Sequence, residues 1–326
     1  MGDLDELTLE DYLPKPHPHV VSSLIEAIRG VRLKPVKLRP PAFKLNGEAA
    51  KVITGVDGGF QVKELCGGAL IVAAAVAYTS PLDLIEDREP VVEAEVRFED
   101  LDEPATWTAE ALERRLMFRA STKACLAKKP EVVLIDGGLL PHPSLLRSEA
   151  GRAEVEACVA EQARFMKLAE GLGVNVAGVV KRARGKLFDG VHRDVALLDL
   201  EEGEATEPRP IEEGWVRRVE GLFRRVGFKP PRIMVSYVKT TANREPVRIE
   251  LPDWCDLGLV LSTVARTADP VTGVPIHVVK ADSYTKVHGG VVKAVYTRLL
   301  HKLVAEYGLK AEDYLRPIRG ESLEEG

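Results

Sequence analysis

Residues 52–59 read VITGVDGG, an apolar, β-branched run that stops at Asp57 with two glycines behind it. Residues 132–138 read VVLIDGG and place Asp136 in the same position. Short apolar runs closed by glycine read as buried strands. A carboxylate at the end of such a strand needs a reason, because an ionised group out of water is costly without a partner. If the two strands are neighbours, Asp57 and Asp136 stand side by side, and two ionised carboxylates at that distance repel. A divalent cation between them removes the penalty, and all-oxygen donors favour magnesium or manganese over zinc. The glycines would then let backbone or substrate approach closely. The plainer alternative is that Asp-Gly is an ordinary turn signal that occurs twice.

Around these strands, residues 70–77 predict a second strand buried on both faces, and 91–98 (VVEAEVRF) a third with one wet face. Their short connections predict three antiparallel neighbours. A helix is expected over 108–127, with Thr108 as N-cap and Lys128, Lys129 and Pro130 ending it. Residues 132–136 are then a fourth strand, apolar throughout like a central parallel strand. A helix over 153–171, a strand over 174–180, a hairpin of 232–238 and 247–251, a helix over 253–266, a last strand over 276–281 and a helix over 291–307 complete the order. Residues 17–30 predict one more short helix, whose Val20, Leu24, Ile25 and Ile28 stripe packs on the core or on a second subunit. Three strands, a helix and a strand suit a mixed α/β sheet with an antiparallel half. The helix between the third and fourth strands also offers Glu110 and Glu113 as a third acid. Two metals held by such acids can orient a water and stabilise the leaving oxygen in phosphodiester cleavage. A solvated glutamate in an i,i+4 ion pair is the ordinary alternative for either.

Composition limits the remaining readings. The 326 residues are 45% apolar and 29% charged, enough for one large folded core. Cys66, Cys125, Cys158 and Cys255 lie far apart, which suggests buried thiols and neither a zinc site nor a disulfide scaffold. The opening MGDLDELTLEDYLPKPHPH has no apolar centre, and the most apolar run, 66–80, is short and interrupted. A cytoplasmic protein with no membrane partner is therefore expected. Three asparagines and two glutamines beside so many charges point to a thermophilic source. A net charge of −5 argues against an all-over basic surface but leaves room for a basic groove. Lys181, Arg182, Arg184 and Lys186 follow a strand end, and rim the same cleft as the aspartates if that strand neighbours the fourth; there they would contact DNA phosphates. Arg217, Arg218, Arg224 and Arg225 form a second basic set on a helix. Residues 32–44, RLKPVKLRPPAFK, cross a surface or reach toward a polyanion, while 199–214 is acidic and exposed. Aromatics are only 6%, too few for a stacking platform, and Phe188 is the aromatic to watch in the basic loop.

Taken in order, a strand reading VDGG, a helix bearing a glutamate, a strand reading LIDGGLL, then VAGVVKRARGKLF, SYVKTTANREPVRIELP and a strand ending in Lys280-Ala281-Asp282 resemble the NurA nuclease family over residues 50–305. The resemblance implies an RNase H-like mixed sheet flanked by helices, with its core over 51–181 inside a single domain of 51–307. An N-terminal helix and basic arm (1–50) and a tail (308–326) flank it. The resemblance also implies a manganese-dependent deoxyribonuclease, with magnesium as the other candidate and a pair of ions per site. Single-strand endonuclease and 5′ to 3′ exonuclease activity, a role in DNA end resection and double-strand break repair, a homodimer, and a HerA-type hexameric ATPase as partner belong to the same implication. Carried over by motif, Asp57, Glu113 and Asp136 are the catalytic, metal-binding acids, with Glu110 as the alternative to Glu113. Where the family's late segment ends in Ala-His, this chain has Ala281-Asp282, and a tyrosine expected upstream is absent near Val274. Asp282 then supplies an oxygen ligand, and His277 or His288 an imidazole. The competing readings are a catalytically weak or inactive scaffold for the translocase, and an actin-like ATPase, for which a second glycine-rich phosphate loop is missing. No GxxxxGK[ST] sequence is present either.

Overall fold

The computed structural model describes residues 37–99, 105–141, 152–211, 216–286 and 289–308. The helix expected over 17–30, His288, the side chain of Arg218 and the tail beyond 308 lie outside the described residues. Among the described residues ten strands join in one sheet: β1 (Ala42–Lys44), β2 (Val52–Leu65), β3 (Gly68–Pro81), β4 (Val91–Glu99), β5 (Val132–Asp136), β6 (Asn175–Val180), β7 (Glu204–Thr206), β8 (Arg209–Pro210), β9 (Ile233–Val238) and β10 (Val247–Pro252). The helices are α1 (Thr106–Lys128), α2 (Arg152–Leu172), α3 (Asp194–Leu197), α4 (Val216–Arg225), α5 (Leu257–Arg266), α6 (Ile276–Thr285) and α7 (Gly289–Tyr307).

Across the sheet the order is β1-β7-β9-β10-β6-β5-β2-β3-β4, with β8 pairing on β9. β2, β3 and β4 form an antiparallel meander. The chain then crosses over through α1, and β5 adds parallel to β2; a second crossover through α2 adds β6 parallel to β5. The β9–β10 hairpin closes antiparallel onto β6. This is an RNase H-like mixed sheet flanked by helices. Strand alternation sorts the core onto the two faces. Val56, Val133 and Ile135 pack with Leu112, Leu116 and Phe118 of α1 and Phe165 of α2. Ile53, Val132, Leu134 and Ile249 pack with Val260 and Val264 of α5 and Val278 of α6.

The structure departs from the sequence reading at several points. β2 does not stop at Asp57: β3 supplies partners along its whole length, from Val52↔Pro81 to Leu65↔Gly68. Its pairing with β5, by contrast, runs out at Val56↔Ile135, so a notch opens beside Asp57. Residues 276–281, expected as a strand from their β-branched run, are the start of α6. The segment lies flat on β2 and β3, whose backbone groups are already paired, and a helix satisfies its own. Glycine makes this approach feasible. A Cβ on Gly55 would sit 2.1 Å from the His277 carbonyl carbon, and one on Gly59 2.5 Å from the Thr285 carbonyl oxygen.

α1 starts earlier than expected, with Ala105 at the N-cap and Thr108 buried inside it. It ends where Lys129 turns left-handed at φ 50° ahead of Pro130. Arg115 and Arg97 both reach the buried Glu154 at 2.7 Å, which ties α1, β4 and α2 together. From residue 37 on, the basic arm meets the acidic stretch while its side chains stay partly in solvent: Arg39 pairs with Glu204 at 2.9 Å, Lys44 with Glu201 at 3.7 Å, and β1 pairs with β7. Arg224 and Arg225 pair with Glu220 and Glu156. Cys125 and Cys158 are buried and Cys255 is half-buried, but Cys66 is exposed. Among the described residues no helix is long and apolar enough to cross a membrane.

Gly55→Ala is expected to push α6 off β2 and to cost about 2 kcal/mol or more, as overpacking of a tight contact does. Urea unfolding reads this as a lower midpoint at unchanged slope. Gly171→Ala, where nothing lies within 4 Å of the added carbon, is the control. Equal midpoints for the two variants would show that the helix does not depend on the glycine.

Candidate active site

The parallel strands β5 and β6 end side by side at Asp136 and Lys181, next to the middle of β2. Ligand crevices form at such carboxyl ends. Asp57 is 4% exposed and points into the notch beside Asp136, with which its side chain shares a hydrogen bond. The Gly58 N–H donates to Asp57 Oδ1 at 2.8 Å, and Lys181 Nζ lies 3.0 Å from Asp136 Oδ2. Burial holds the Asp57 carboxyl well above the usual carboxylate range, and the charge of Asp136 adds to this, while Lys181 and the Gly58 N–H pull the other way. From the opposite face, α1 brings Glu113 over Gly58, where a Cβ would sit 2.6 Å from Glu113 Cγ. Burial, with smaller contributions from Glu110 and Asp136, pushes Glu113 up to about 7 against the pull of Arg114.

These acids share one open cavity of about 980 Å³. Asp57, Glu110, Glu113, Asp136 and Asp282 line it together with Lys181, Arg182, Arg184 and Lys186. The structure therefore brings together nearly all of the residues singled out in the sequence. Asp282 arrives from α6 and not from a strand end, with Lys286 at 3.9 Å. His277 is the exception. Its Nε2 pairs with Ser80 Oγ at 3.0 Å, its Nδ1 is buried without a partner, and burial pushes the imidazole down to about 4. It packs where α6 meets β2 and β3 and is not part of the cavity lining, so it is no candidate ligand here.

Other lining residues escaped the sequence reading. Arg114 donates to the Asp136 carbonyl at 2.9 Å and to the Gly138 carbonyl, clamping the turn in which Gly137 takes φ +83°. Its place beside Glu113 in the helix was the available signal. Arg248 and Glu250 on β10 also line the cavity. Two opposite charges alternating inside the apolar run VRIELP marked them, but only their burial shows that they face inward.

The donor set suits a hard divalent cation. The Asp57–Asp136 pair is already formed, its repulsion is eased by a proton and by the Lys181 ammonium, and every further acid offers oxygen. Among the described residues no three carboxylate, imidazole or thiol groups are yet gathered at ligation distance. Asp57 and Asp136 are the residues that would hold such an ion first, with Glu113 lining the same cavity.

A model of the NurA domain family matches residues 51–287. The chain belongs to the NurA family. With that membership the cavity is read as the site of a nuclease-family protein. The fold is similar to that of the NurA nuclease from Sulfolobus solfataricus, at 12% identity, covering 88% of this chain and 94% of that one with a TM-score of 0.64. A NurA crystal structure with manganese is also matched, at 12% identity over 89% of this chain and 97% of that one, TM-score 0.49. Endonuclease V from Bacillus subtilis is matched at 17% identity over 87% and 95%, TM-score 0.43. None of the curated proteins matches the sequence.

The raised Glu113 carries a sign. In the folded NurA chain it keeps a proton that the unfolded chain releases. The stability this gives is complete below pH 4.5 and is lost as pH rises to about 7. His277 acts in the opposite sense below its ordinary 6.5, so the difference between variant and wild type is the proper measure. In EDTA, Glu113→Gln is expected to gain stability relative to wild type as pH rises from 4.5 to about 7. Urea titrations across that window check it, and a constant difference would show that Glu113 titrates as an ordinary carboxylate.

Proposed function

We propose that the chain is a metal-dependent deoxyribonuclease that hydrolyses phosphodiester bonds of a DNA strand lying in the cavity that these acidic and basic residues line together. The observation that carries this reading is the meeting of Asp57, Asp136, Glu113 and Asp282 with Lys181, Arg182, Arg184 and Lys186 around one opening. Asp57, Asp136 and Glu113 would hold the metal, with Glu110 beside them and Asp282 standing where the family motif has histidine. Manganese, or magnesium, bound there would supply an activated water and stabilise charge on the leaving oxygen. The protein groups do the rest. The basic loop after β6 holds phosphates without reading base sequence, and Arg114 fixes the backbone that carries Asp136.

Family membership supports the finer assignments: manganese as the preferred ion, a pair of ions per site, single-strand endonuclease and 5′ to 3′ exonuclease activity, a role in DNA end resection, a homodimer, and a HerA-type hexameric ATPase as partner.

Asp57→Asn and Asp136→Asn are each expected to bring manganese-dependent cleavage of single-stranded and double-stranded DNA to background while the fold persists. The amide keeps the size of the carboxylate but not its charge. Arg184→Ala is expected instead to weaken binding and to lower the log–log salt slope by about 0.7, the value for one single-strand phosphate contact. Gel assays with manganese, magnesium or chelator, together with circular dichroism, decide the matter. Cleavage by both aspartate variants at the wild-type rate would reject this site. Wild-type protein that binds DNA but cuts it with neither ion would favour the scaffold reading.

A further inference from the structure

We infer that Arg248 and Glu250, paired on β10, are positioning residues that hold the two loops walling the cavity and thereby set its grip on a DNA strand. The inference rests on the nuclease reading above. Both side chains are almost wholly buried, at 7% exposure each. Arg248 Nε donates to Glu250 Oε1 at 2.9 Å, and Arg248 Nη2 lies 2.8 Å from the same oxygen.

Each member reaches a different loop. Glu250 Oε2 accepts the N–H of Leu139 at 2.9 Å, three residues past Asp136. The carboxylate fits there because Gly138 has no side chain; a Cβ would lie 2.9 Å from Oε2. On the other side, the basic loop runs directly over the guanidinium: a Cβ on Gly185 would sit 2.5 Å from Arg248 Nη1. Tyr237, opposite Arg248 in the β9–β10 register, brings its hydroxyl beside the same Gly185 that meets Arg248 Nη1, and donates it to Asp194 Oδ2 at 2.6 Å. Asp194 in turn accepts the N–H groups of Leu187 and Phe188 at 3.0 and 3.1 Å. One line of polar groups thus runs from Leu139 through Glu250, Arg248, Tyr237 and Asp194 to Leu187.

Stability alone is a poor explanation for this pair, because a buried ion pair is often no more stabilising than apolar residues of the same volume. Direct phosphate binding is a poor explanation as well. The donors of Arg248 already face Glu250 and Tyr237, and Glu250 places a negative charge in the wall of a cavity proposed to hold a polyanion. Holding both loops at once is what an apolar replacement would lose.

The test turns on a sign. Glu250→Gln removes a negative charge from the wall. Plain electrostatics therefore calls for equal or tighter binding of DNA, whereas loss of the bracket calls for weaker binding. The probe is a fluorescent single-stranded oligodeoxynucleotide followed by anisotropy in EDTA over a salt series, with kinetics in manganese alongside. Glu250→Gln and Arg248→Met are each expected to weaken binding and raise KM about tenfold, with kcat within about threefold, because the acids are untouched. Arg248→Lys should recover part of the loss. Equal or tighter binding by Glu250→Gln overturns the inference. Should that variant melt below the assay temperature, the Arg248→Met, Glu250→Leu double variant carries the test. Tenfold weaker binding by the folded double variant supports the bracket, and wild-type affinity overturns it. Wild-type protein that binds no DNA overturns the nuclease reading and this inference together; wild-type binding matched by Glu250→Gln overturns the inference alone.

Discussion

The parallel pairing of β2 with β5 is the contact on which the site depends. It brings two aspartates together where β5 ends and β2 continues. Carboxylates that close and that dry cannot both carry charge without compensation. The surroundings supply some of it, through Lys181 on Asp136 and the Gly58 N–H on Asp57. What remains is an electrostatic demand for positive charge, set into the sheet itself and not added on a surface loop.

The stretch GVDGG shows how little sequence is needed to build such a place. Gly55 and Gly59 leave room on one face for α6 to lie against β2, and Gly58 leaves room on the other for Glu113. A central strand with ordinary side chains at those positions would hold both helices farther from the backbone. Acids from α1 and α6 would then stand too far from Asp57 to share its cavity. The glycines cost strand stability, and the neighbours β3 and β5 offset this by pairing β2 on both sides at its start.

Charge is organised by position, not by total. The chain is acidic overall, yet the cavity has a basic wall because β6 ends beside β5 and the basic residues follow at once. Other basic groups are neutralised within the fold, as Arg39 is by Glu204 and Arg97 and Arg115 are by Glu154. Such pairings hold those groups to acids outside the cavity, whereas Lys181 of the loop after β6 pairs with Asp136 inside it.

The sequence by itself determined the first four strands of the core and the two crossover helices, and it marked Asp57, Asp136 and the basic loop as candidates. All of these rest on local signals: apolar runs, a helical period, and residues that follow a strand end. Glu110, Glu113 and Asp282 were legible as candidates but not as neighbours. Tertiary structure alone decided what local pattern could not carry. Residues 276–281 look like a strand, but they open helix α6, because a segment lying on the face of a sheet finds no ladder partners there and a helix satisfies its own backbone. His277 turns toward Ser80, away from the acids, because α6 presents that face to β3. Arg248 and Glu250 are two charges inside an apolar run, and only the pairing of β10 with β6 and the loops around them makes them buried. In each case the deciding contacts join residues far apart in the chain, and such contacts exist only once the sheet has closed.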